Sequence, residues 1–342
     1  MDDKLKLLSQ KKQQLAALRP LPKQLQQNLD EWFKVELTYS SNAIEGNILT
    51  RIETAEVIER GIDVIIPGKP LKDLLEARNH AQAIEFVKAL AKRTKSHQFI
   101  KEQDIKDIHK IILTGIDESN TGRYRQTEVF IKGSNTNFPL PQAVPNAMQK
   151  FIQWLQELQE VHPVQVAADA HFKFVSIHPF ADGNGRTARL LMNLILLINS
   201  YPMAVIRNEE RIRYLESFDF VRNKKDMQPF YNIIEMAVER SLDAYLNAAQ
   251  GKPVMLHLKP KPSKTDKLLR IGELARLTGE TIHTLRYWLE EGLLVVKDHT
   301  GGGYQLFEPS MVDQVREIRR LQNVERLTLH EIKRRLSHPP AG

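Results

Sequence analysis

His178-Pro-Phe-Ala-Asp182-Gly-Asn-Gly-Arg186-Thr-Ala-Arg189 is the stretch on which the reading of this chain turns. A histidine stands four residues before an aspartate, a Gly183-Asn184-Gly185 turn follows, and two arginines come three apart before the apolar run Leu190 to Ile198. Glycines let successive backbone N–H groups converge on one concavity, which suits a phosphate. The apolar run reads as a buried helix, so the concavity lies at a helix N-terminus, where the macrodipole favours anions. Arg186 and Arg189 are one turn apart and share a face of that helix. Guanidinium forks placed there can grip phosphate oxygens. His178 supplies a base and Asp182 a hard oxygen ligand for a metal. A Gly-rich loop capping a core helix accounts for the glycines, but it has no need of His178, Asp182 and both arginines together.

Composition narrows the class. At 342 residues the chain can form one very large domain or two ordinary ones, and its 42% hydrophobic residues supply real cores. It has no cysteine, which excludes disulfides and thiolate metal sites and fits a reducing cytoplasm. Residues 1–19 are polar and rich in Lys and Gln, without the apolar segment of a signal peptide. No run approaches the ~20 apolar residues of a membrane span, so no membrane partner is expected. The net charge is +7. Residues 252–342 hold 16 Lys/Arg against 11 Asp/Glu, leaving 33 against 31 for the first 251. Much of the tail's excess is five lysines, Lys252, Lys259, Lys261, Lys264 and Lys267, facing one acid, Asp266. A basic tail hints at nucleic acid; on charge alone a solvated linker is an equal reading.

Those lysines lie in the clearest boundary, Gly251 to Lys267, whose three prolines disfavour helix and suit a semi-rigid tether. It separates a domain over 1–250 from a smaller one over 268–342. Upstream, apolar residues at threes and fours predict helices over Leu25–Tyr39, Glu53–Arg60, Leu71–Lys92, Ile105–Leu113, Val144–Gln159, Pro163–Ser176, Leu190–Ile198 and Met227–Ala248. Val129-Phe130-Ile131 is β-branched and aromatic, and the turn chemistry of Lys132-Gly133-Ser134-Asn135 follows, so a short hairpin is predicted. The expected fold class is mainly α: a helical core with one short β-hairpin flap, then a small winged helix-turn-helix domain.

The motif at His178 resembles the signature of the Fic (Fido) family, His-x-Phe-x-Asp/Glu-Gly-Asn-Gly-Arg-x-x-Arg, and matches it at every defined position. The resemblance extends over most of residues 1–250. It implies an adenylyltransferase that moves AMP from ATP to a Ser, Thr or Tyr hydroxyl of a protein and releases pyrophosphate. It implies His178 as the base and Asp182 as the Mg²⁺ ligand. Asn184 and the Gly183–Gly185 backbone would form the anion hole, and Arg186 and Arg189 would hold the β- and γ-phosphates, in a nucleotide-contacting run that includes Thr187 and Ala188. Phe180 is expected to be an apolar anchor turned inward. Gly122-Arg123-Tyr124-Arg125 with Val129, Phe130, Ile131 and Lys132 looks like the family's flap, which aligns a target segment by strand addition. Tyr214 takes the place of an adenine-contacting tyrosine, and Asn223 falls one residue from the place of a second nucleotide contact.

A second motif, Ser41-Asn42-Ala43-Ile44-Glu45-Gly46, fits the family's inhibitory pattern Ser/Thr-x-x-x-Glu-Gly/Asn. Read alone, Glu45 is a surface carboxylate before a helix-ending glycine. Beside the Fic motif it implies a carboxylate that reaches Arg189 and competes with the γ-phosphate, with Ser41 fixing the inhibitory helix. The implied cofactors are ATP as substrate and Mg²⁺. The implied partners are a hydroxyl-bearing target protein, the chain itself through auto-AMPylation, and a second copy in a homodimer. Removal of AMP, with the same glutamate positioning water, and transfer of another nucleotide are the enzymatic alternatives. A transcription regulator that senses ATP is the alternative of another class, although a pure sensor does not need the base.

Beyond the tether, a helix over Gly272–Leu277 ends at Thr278-Gly279 and a second over Ile282–Glu291 stops at Gly292, a helix-turn-helix pattern. Val295-Val296, a Gly301-Gly302-Gly303 tip and Tyr304 to Phe307 predict a wing, and helices over Ser310–Leu321 and Leu329–Leu336 follow. The segment resembles the DNA-binding domain of the MerR family through Ile271-Gly272-Glu273-Leu274-Ala275, Thr284-Leu285-Arg286-Tyr287, Gly292-Leu293-Leu294 and Gly303-Tyr304. That implies DNA contacts from Thr284, Arg286, Tyr287 and Tyr304. His283 and Gln305 stand where arginines are common, and no long dimerisation helix or effector domain follows. Residues 268–342 hold 11 basic and 10 acidic residues. Affinity for DNA comes mainly from phosphate neutralisation, so a monomer should bind weakly. A winged helix used for protein docking is the rival reading.

Overall fold

The computed structural model describes residues 3–130, 136–252, 268–299, 305–323, 325 and 327–337. The chain divides into two compact units, Met1–Leu256 and His257–Gly342.

The described part of the first unit is helical: α1 (Asp3–Ala17), α2 (Lys23–Ile44), α3 (Arg51–Arg60), α4 (Leu71–Arg93), α5 (Glu102–Leu113), α6 (Val144–Glu157), α7 (Pro163–Ile177), α8 (Asn184–Ile198), α9 (Arg211–Lys224) and α10 (Gln228–Ala249). At its centre is α8, with 12 of 15 residues buried, packed on α7, α4 and α5. A helix enclosed all round must be apolar or have its polar groups satisfied. Leu190, Leu191, Leu194 and Leu196 are each at most 1% exposed, and each such burial contributes roughly 1.5–3 kcal/mol. Within residues 190–198, Asn193 is the buried polar exception. Its amide bonds the backbone of Ala204 in both directions, at 3.2 and 2.7 Å.

Two helices carry weak apolar periodicity and were not predicted. The first is α1, which buries Leu5, Leu8 and Leu15 against α10. Its Lys11 reaches Glu239 at 2.9 Å and Asp243 at 2.6 Å, and Lys4 also meets Glu239. The second is α9, which buries only Tyr214, Ser217, Phe218 and Val221. The predicted end of α2 at Tyr39 is also corrected, because the helix continues to Ile44. Its last turns bury Ser40, Ser41 and Asn42, so an apolar pattern stops there although the helix does not. Arg211 Nε closes that helix end by donating to the Ile44 carbonyl at 2.7 Å.

Between α5 and α6, Val129, Phe130 and residues 136–140 are in neither helix nor strand. Ile131, Lys132 and the Gly133–Asn135 turn of the expected flap lie outside the described residues. Phe130 is 83% exposed.

The second unit contains β1 (Leu269–Arg270), α11 (Ile271–Thr278), α12 (Ile282–Glu290), β2 (Asp298–His299), β3 (Gln305–Phe307), α13 (Met311–Asn323) and α14 (Leu329–Ser337). Strand β3 is central and antiparallel to both neighbours, pairing Phe307 with Leu269 and Leu306 with Asp298. The wing strand therefore lies at Asp298–His299, not at Val295–Val296. Pairing starts at Lys297, whose N–H donates to the Leu306 carbonyl at 2.8 Å, while Val295 is 64% exposed and Val296 packs on the core. The Gly301–Gly303 tip and Tyr304 lie outside the described residues. Gly279, at φ 75°, ends α11, and the Thr281 hydroxyl caps α12 by accepting from the Thr284 N–H at 3.0 Å. Trp288 is buried under the Arg319 guanidinium, 5.0 Å from the ring centroid. Arg319 also grips Glu280, its Nε at 2.6 Å, tying α13 to the turn before α12.

Candidate active site

The site is built on the turn between α7 and α8. His178 ends α7 in the left-handed region, at φ 51° and ψ 58°, with its N–H on the Phe174 carbonyl at 3.0 Å. That conformation costs a non-glycine residue roughly 1–2 kcal/mol, so the surroundings must hold it. Arg125, 1% exposed, does so. Its Nε donates to the His178 carbonyl at 2.8 Å, its Nη1 to Thr127 O at 3.0 Å and its Nη2 to Pro139 O. Its own N–H donates to Pro179 O at 3.0 Å. One guanidinium thus ties the base to both described ends of the expected flap.

Phe180 is fully buried, as expected, with its ring stacked on His109 at 3.6 Å between centroids and 7° between planes. The Gly122 N–H donates to His109 Nδ1 at 3.0 Å, which places the ring hydrogen on Nε2. Nε2 then donates to the Asp182 carbonyl at 3.0 Å. Burial holds the pKa of His109 down to about 4, against the upward pull of that carbonyl, so this neutral tautomer persists at neutral pH. Asn184 closes the turn from within: Oδ1 accepts from the Phe180 N–H at 3.0 Å and Nδ2 donates to the Phe180 carbonyl at 2.8 Å. Its side chain is therefore a staple and does not face an anion, which corrects the expected role.

Gly183, at φ 74°, is the N-cap of α8, a conformation glycine adopts freely. A Cβ there would also meet the His109 ring at 3.4 Å. The first intrahelical bond is Thr187 N–H to Gly183 O at 2.9 Å, so helix geometry leaves the N–H groups of Asn184, Gly185 and Arg186 without intrahelical acceptors. These three donors make a seat suited to an anion.

An anion from the chain itself occupies the edge of that seat. Arg189, 5% exposed, donates through Nη2 to Glu45 Oε1 at 2.7 Å and to the Ser41 carbonyl at 2.9 Å. Its Nε donates to the Ser41 hydroxyl at 2.9 Å, and its Nη1 lies 3.5 Å from the Tyr214 hydroxyl. Ser41 thus contacts Arg189 directly as well as shaping α2. Burial lowers the pKa of Arg189, but the charges and hydrogen bonds of Glu45 and Tyr214 together outweigh it and the pKa is raised. A Cβ on Gly185 would lie 2.3 Å from Glu45 Oε1, so only glycine leaves the carboxylate room against the helix N-terminus. Gly46, at φ 101°, turns the chain away after Glu45.

Arg186 is held from another helix. Its Nη1 is 2.9 Å from Glu76 Oε1 on α4, off the hydrogen-bonding direction, and its Nη2 is 3.6 Å from Asp182 Oδ1. Glu76 Oε2 accepts from Asn47 Nδ2 at 2.9 Å, and its carbonyl accepts from Asn42 Nδ2 at 3.3 Å. Residues flanking Glu45 therefore touch the acid that contacts Arg186.

Burial pushes the pKa of His178 down to about 4, opposed by the Val175 carbonyl and reinforced by the charge of Arg125. Nδ1 is enclosed without a hydrogen bond of full geometry, which leaves Nε2 to meet a reactant. The Phe138 ring lies 4.5 Å from the imidazole. The Asp182 carboxylate is 55% exposed and accepts from its neighbour's Gly183 N–H at 2.6 Å.

Three expected nucleotide contacts are not met. Tyr214 is 1% exposed, packed on His171, Phe218 and Phe230, with its hydroxyl 2.8 Å from His171 Nε2. It backs Arg189 and cannot face an adenine. Thr187 and Ala188 are fully buried on the core side of α8. Asn223 is exposed at the end of α9. In the second unit, Arg286 and Tyr287 are exposed on α12, whereas Thr284 is half-buried and paired with Thr281 at 2.8 Å. His109 and Glu76 were missed, and Arg125, read as part of the flap, was not expected to hold His178. A signal existed for the first two. His109 sits on the apolar face of α5 with Ile105, Ile108 and Ile112, and Glu76 sits among the buried positions of α4. A polar residue on an apolar stripe asks for a buried partner.

Two outcomes follow from the histidines. With a folded pKa near 4 below the unfolded ~6.5, His178 stays neutral as pH falls from 8 to 5.5. His80 and His171, both near 3, do the same. The unfolded chain takes up protons first, so stability falls below pH 6.5 by about 1.4 kcal/mol per pH unit for each such histidine. Side-chain ¹⁵N NMR should show no His178 inflection above pH 5.5; one near 6.5 contradicts the burial argument. His109→Phe keeps the stack but leaves the Gly122 N–H and Asp182 carbonyl unpaired, at a cost of about 1–3 kcal/mol. Urea unfolding of the first unit measures it, and a loss below about 0.5 kcal/mol would reject the staple.

The geometry has relatives. Residues 99–196 match the model of the Fic/DOC family, and residues 269–338 match that of MerR HTH family regulatory proteins. A protein adenylyltransferase Fic from Nematostella vectensis is 37% identical over 219 residues, 63% of this chain and 49% of the relative. Another from Culex quinquefasciatus is 32% identical over 282 residues, 81% and 54%. The chain thus spans about half the length of the curated relatives it matches. Among solved structures, Fic-1 from C. elegans superposes with a TM-score of 0.63 at 30% identity, covering 72% of this chain and 73% of that one. A Fic domain containing signaling protein from Bacteroides thetaiotaomicron gives 0.65 at 29%, covering 73% and 99%. No helix among the described residues is long and apolar enough to cross a membrane. With the His178–Arg189 motif inside the matched segment, the chain belongs to the Fic/DOC family.

Proposed function

We propose that the first unit is a protein adenylyltransferase held off by its own Glu45. The observation that carries this reading is the shared seat: a carboxylate on Arg189, pressed against Gly185 at a helix N-terminus, stands where a terminal phosphate would bind. The names of the relatives support it.

In the reaction, the acceptor hydroxyl oxygen attacks the α-phosphorus of ATP. Its proton passes to His178 Nε2, the bond from the α-phosphorus to the bridging oxygen breaks, and pyrophosphate leaves. His178 is neutral at pH 7 and ready to accept that proton. The N–H groups of Asn184, Gly185 and Arg186 and the guanidinium of Arg189 stabilise charge on the phosphates. Mg²⁺ fits this site as an ion brought with the nucleotide. Asp182 offers one exposed carboxylate, and among the described residues no cluster of three His, Asp or Glu exists to cage a resident ion. Asp182 and phosphate oxygens would hold it, and it would neutralise the polyphosphate. The acceptor is a protein hydroxyl, including the chain's own, and the same proposal includes a homodimer and a cytoplasmic setting.

Removal of AMP is the second reading. It is favoured by the position of Glu45, which is 37% exposed at the side chain and close enough to His178 to pull its pKa upward. A carboxylate there can orient a water as well as block a phosphate.

Displacing Glu45 frees Arg189 and brings the α-phosphate into line, and a misplacement of about 1 Å costs roughly a hundredfold in rate. Glu45→Gly should therefore auto-AMPylate on the order of a hundredfold faster than wild type, and adding His178→Ala should abolish the gain. Intact-mass spectrometry with ATP and Mg²⁺ reads both. No adducts in Glu45→Gly, or adducts surviving His178→Ala, would reject the reading.

For the second unit we propose DNA binding through the exposed face of α12. Arg286→Ala should weaken binding to DNA from upstream of the protein's own coding sequence by about 1–3 kcal/mol. Mobility shifts in rising salt test it, and unchanged binding by Arg286→Ala and Tyr287→Ala alike would favour the protein-docking alternative.

A further inference from the structure

Helices α6 and α7, residues 136–137 and the end of α9 enclose a cleft separate from the nucleotide seat. Neither Glu45, Asp182, Arg186 nor Arg189 lines it. Its wall includes Ser176 and Ile177, the two residues before His178. Its rim at Asn137 adjoins Phe138, which lies on the His178 ring. A chain lying in this cleft therefore passes beside the base.

The lining is unbalanced in charge. Lys150, Lys173, Arg222 and Lys225 face two carboxylates, Asp169 and Asp219. Asp169 accepts from the Tyr231 hydroxyl at 2.7 Å, and Asp219 lies 3.3 Å from Arg222. Asp169 is also in electrostatic contact with Lys173, whereas no ion pair among the described residues engages Lys150 or Lys225. Lys173 rests 4.9 Å above the Trp154 ring, which supplies an apolar floor under a cation.

We propose that this cleft binds an acidic stretch of the acceptor protein and so selects hydroxyls flanked by Asp or Glu. The inference rests on the transferase reading and names its substrate class. Lys150, Lys173 and Lys225 are exposed along the cleft, where cations attract carboxylates and repel basic segments.

The test uses the full chain with Glu45→Gly and two fluorescein-labelled decapeptides, each with one Thr, flanked either by Asp and Glu or by Lys and Gln. Fluorescence anisotropy should show the acidic peptide binding about tenfold tighter at low salt, with the preference shrinking as salt is added. Adding Lys150→Glu with Lys173→Glu should reverse the preference. The gentler pair Lys150→Gln with Lys173→Gln should remove it while a fluorescent ATP analogue still binds, which shows a folded site. Equal binding of both peptides, or a preference surviving the glutamine pair, overturns the proposal. Anisotropy needs no turnover, so the two readings fail separately. Acid-selective binding by a protein that modifies no hydroxyl rejects the transferase and keeps the cleft's ligand. Transfer with no acid preference does the reverse.

Discussion

A single ion pair organises the first unit: Glu45 on Arg189, 2.7 Å apart and nearly closed to solvent on the arginine side. A buried guanidinium left without partners is strongly destabilising, so the resting fold needs acceptors around Arg189. It finds them on α2, in the Ser41 hydroxyl and carbonyl and the Glu45 carboxylate. This explains why α2 buries Ser41 where an ordinary helix would bury an apolar residue. It explains why Gly185 has no side chain, since a Cβ would collide with the carboxylate. It also explains the clamp of Arg211 on the Ile44 carbonyl, which fixes the helix end from which Glu45 reaches. In the proposed reaction a polyphosphate would compete with Glu45 for the same arginine, so the contact that completes the resting fold would be the one exchanged.

A second tier of side chains holds the backbone of the turn that carries the motif. His109, Arg125 and Asn184 each bond the backbone of the turn from Phe180 to Asp182, or of His178 and Pro179. Backbone groups carry no side-chain identity, so such contacts leave no motif. Glu76 acts likewise on Arg186 and, through Asn47 and Asn42, on the segment around Glu45. The two site arginines are therefore held by carboxylates from two different helices, and both carboxylates are tied to the same loop.

The motif residues were legible because their chemistry demands fixed spacing: base, carboxylate, glycines and arginines lie within one turn and one helix start. Glu45 was legible for the same reason. Tyr214 was misplaced because a tyrosine on a helix of weak periodicity looks the same whether it faces a ligand or the core; its burial against His171 is a tertiary fact. Asn184 was assigned to the anion because its position in the motif is fixed, yet its amide matches the two backbone groups of Phe180 instead. Among the helices, α1 and α9 escaped because ion pairs and a few aromatics, not an apolar stripe, dock them. In the second unit, the helix-turn-helix was legible from its glycines and its caps. The wing strand was displaced by three residues because Val295 and Val296 carry β-propensity while the ladder starts at Lys297.

The central claim is that Glu45 and the terminal phosphate compete for one guanidinium. Calorimetric titration of ATP and of AMP into wild type and Glu45→Gln tests it most directly, because AMP has no phosphate that reaches Arg189. Replacing a charge-assisted contact by a neutral one of the same shape should raise ATP affinity about tenfold. AMP affinity should stay within about twofold. Equal gains for ATP and AMP, or no gain for ATP, would contradict the shared seat.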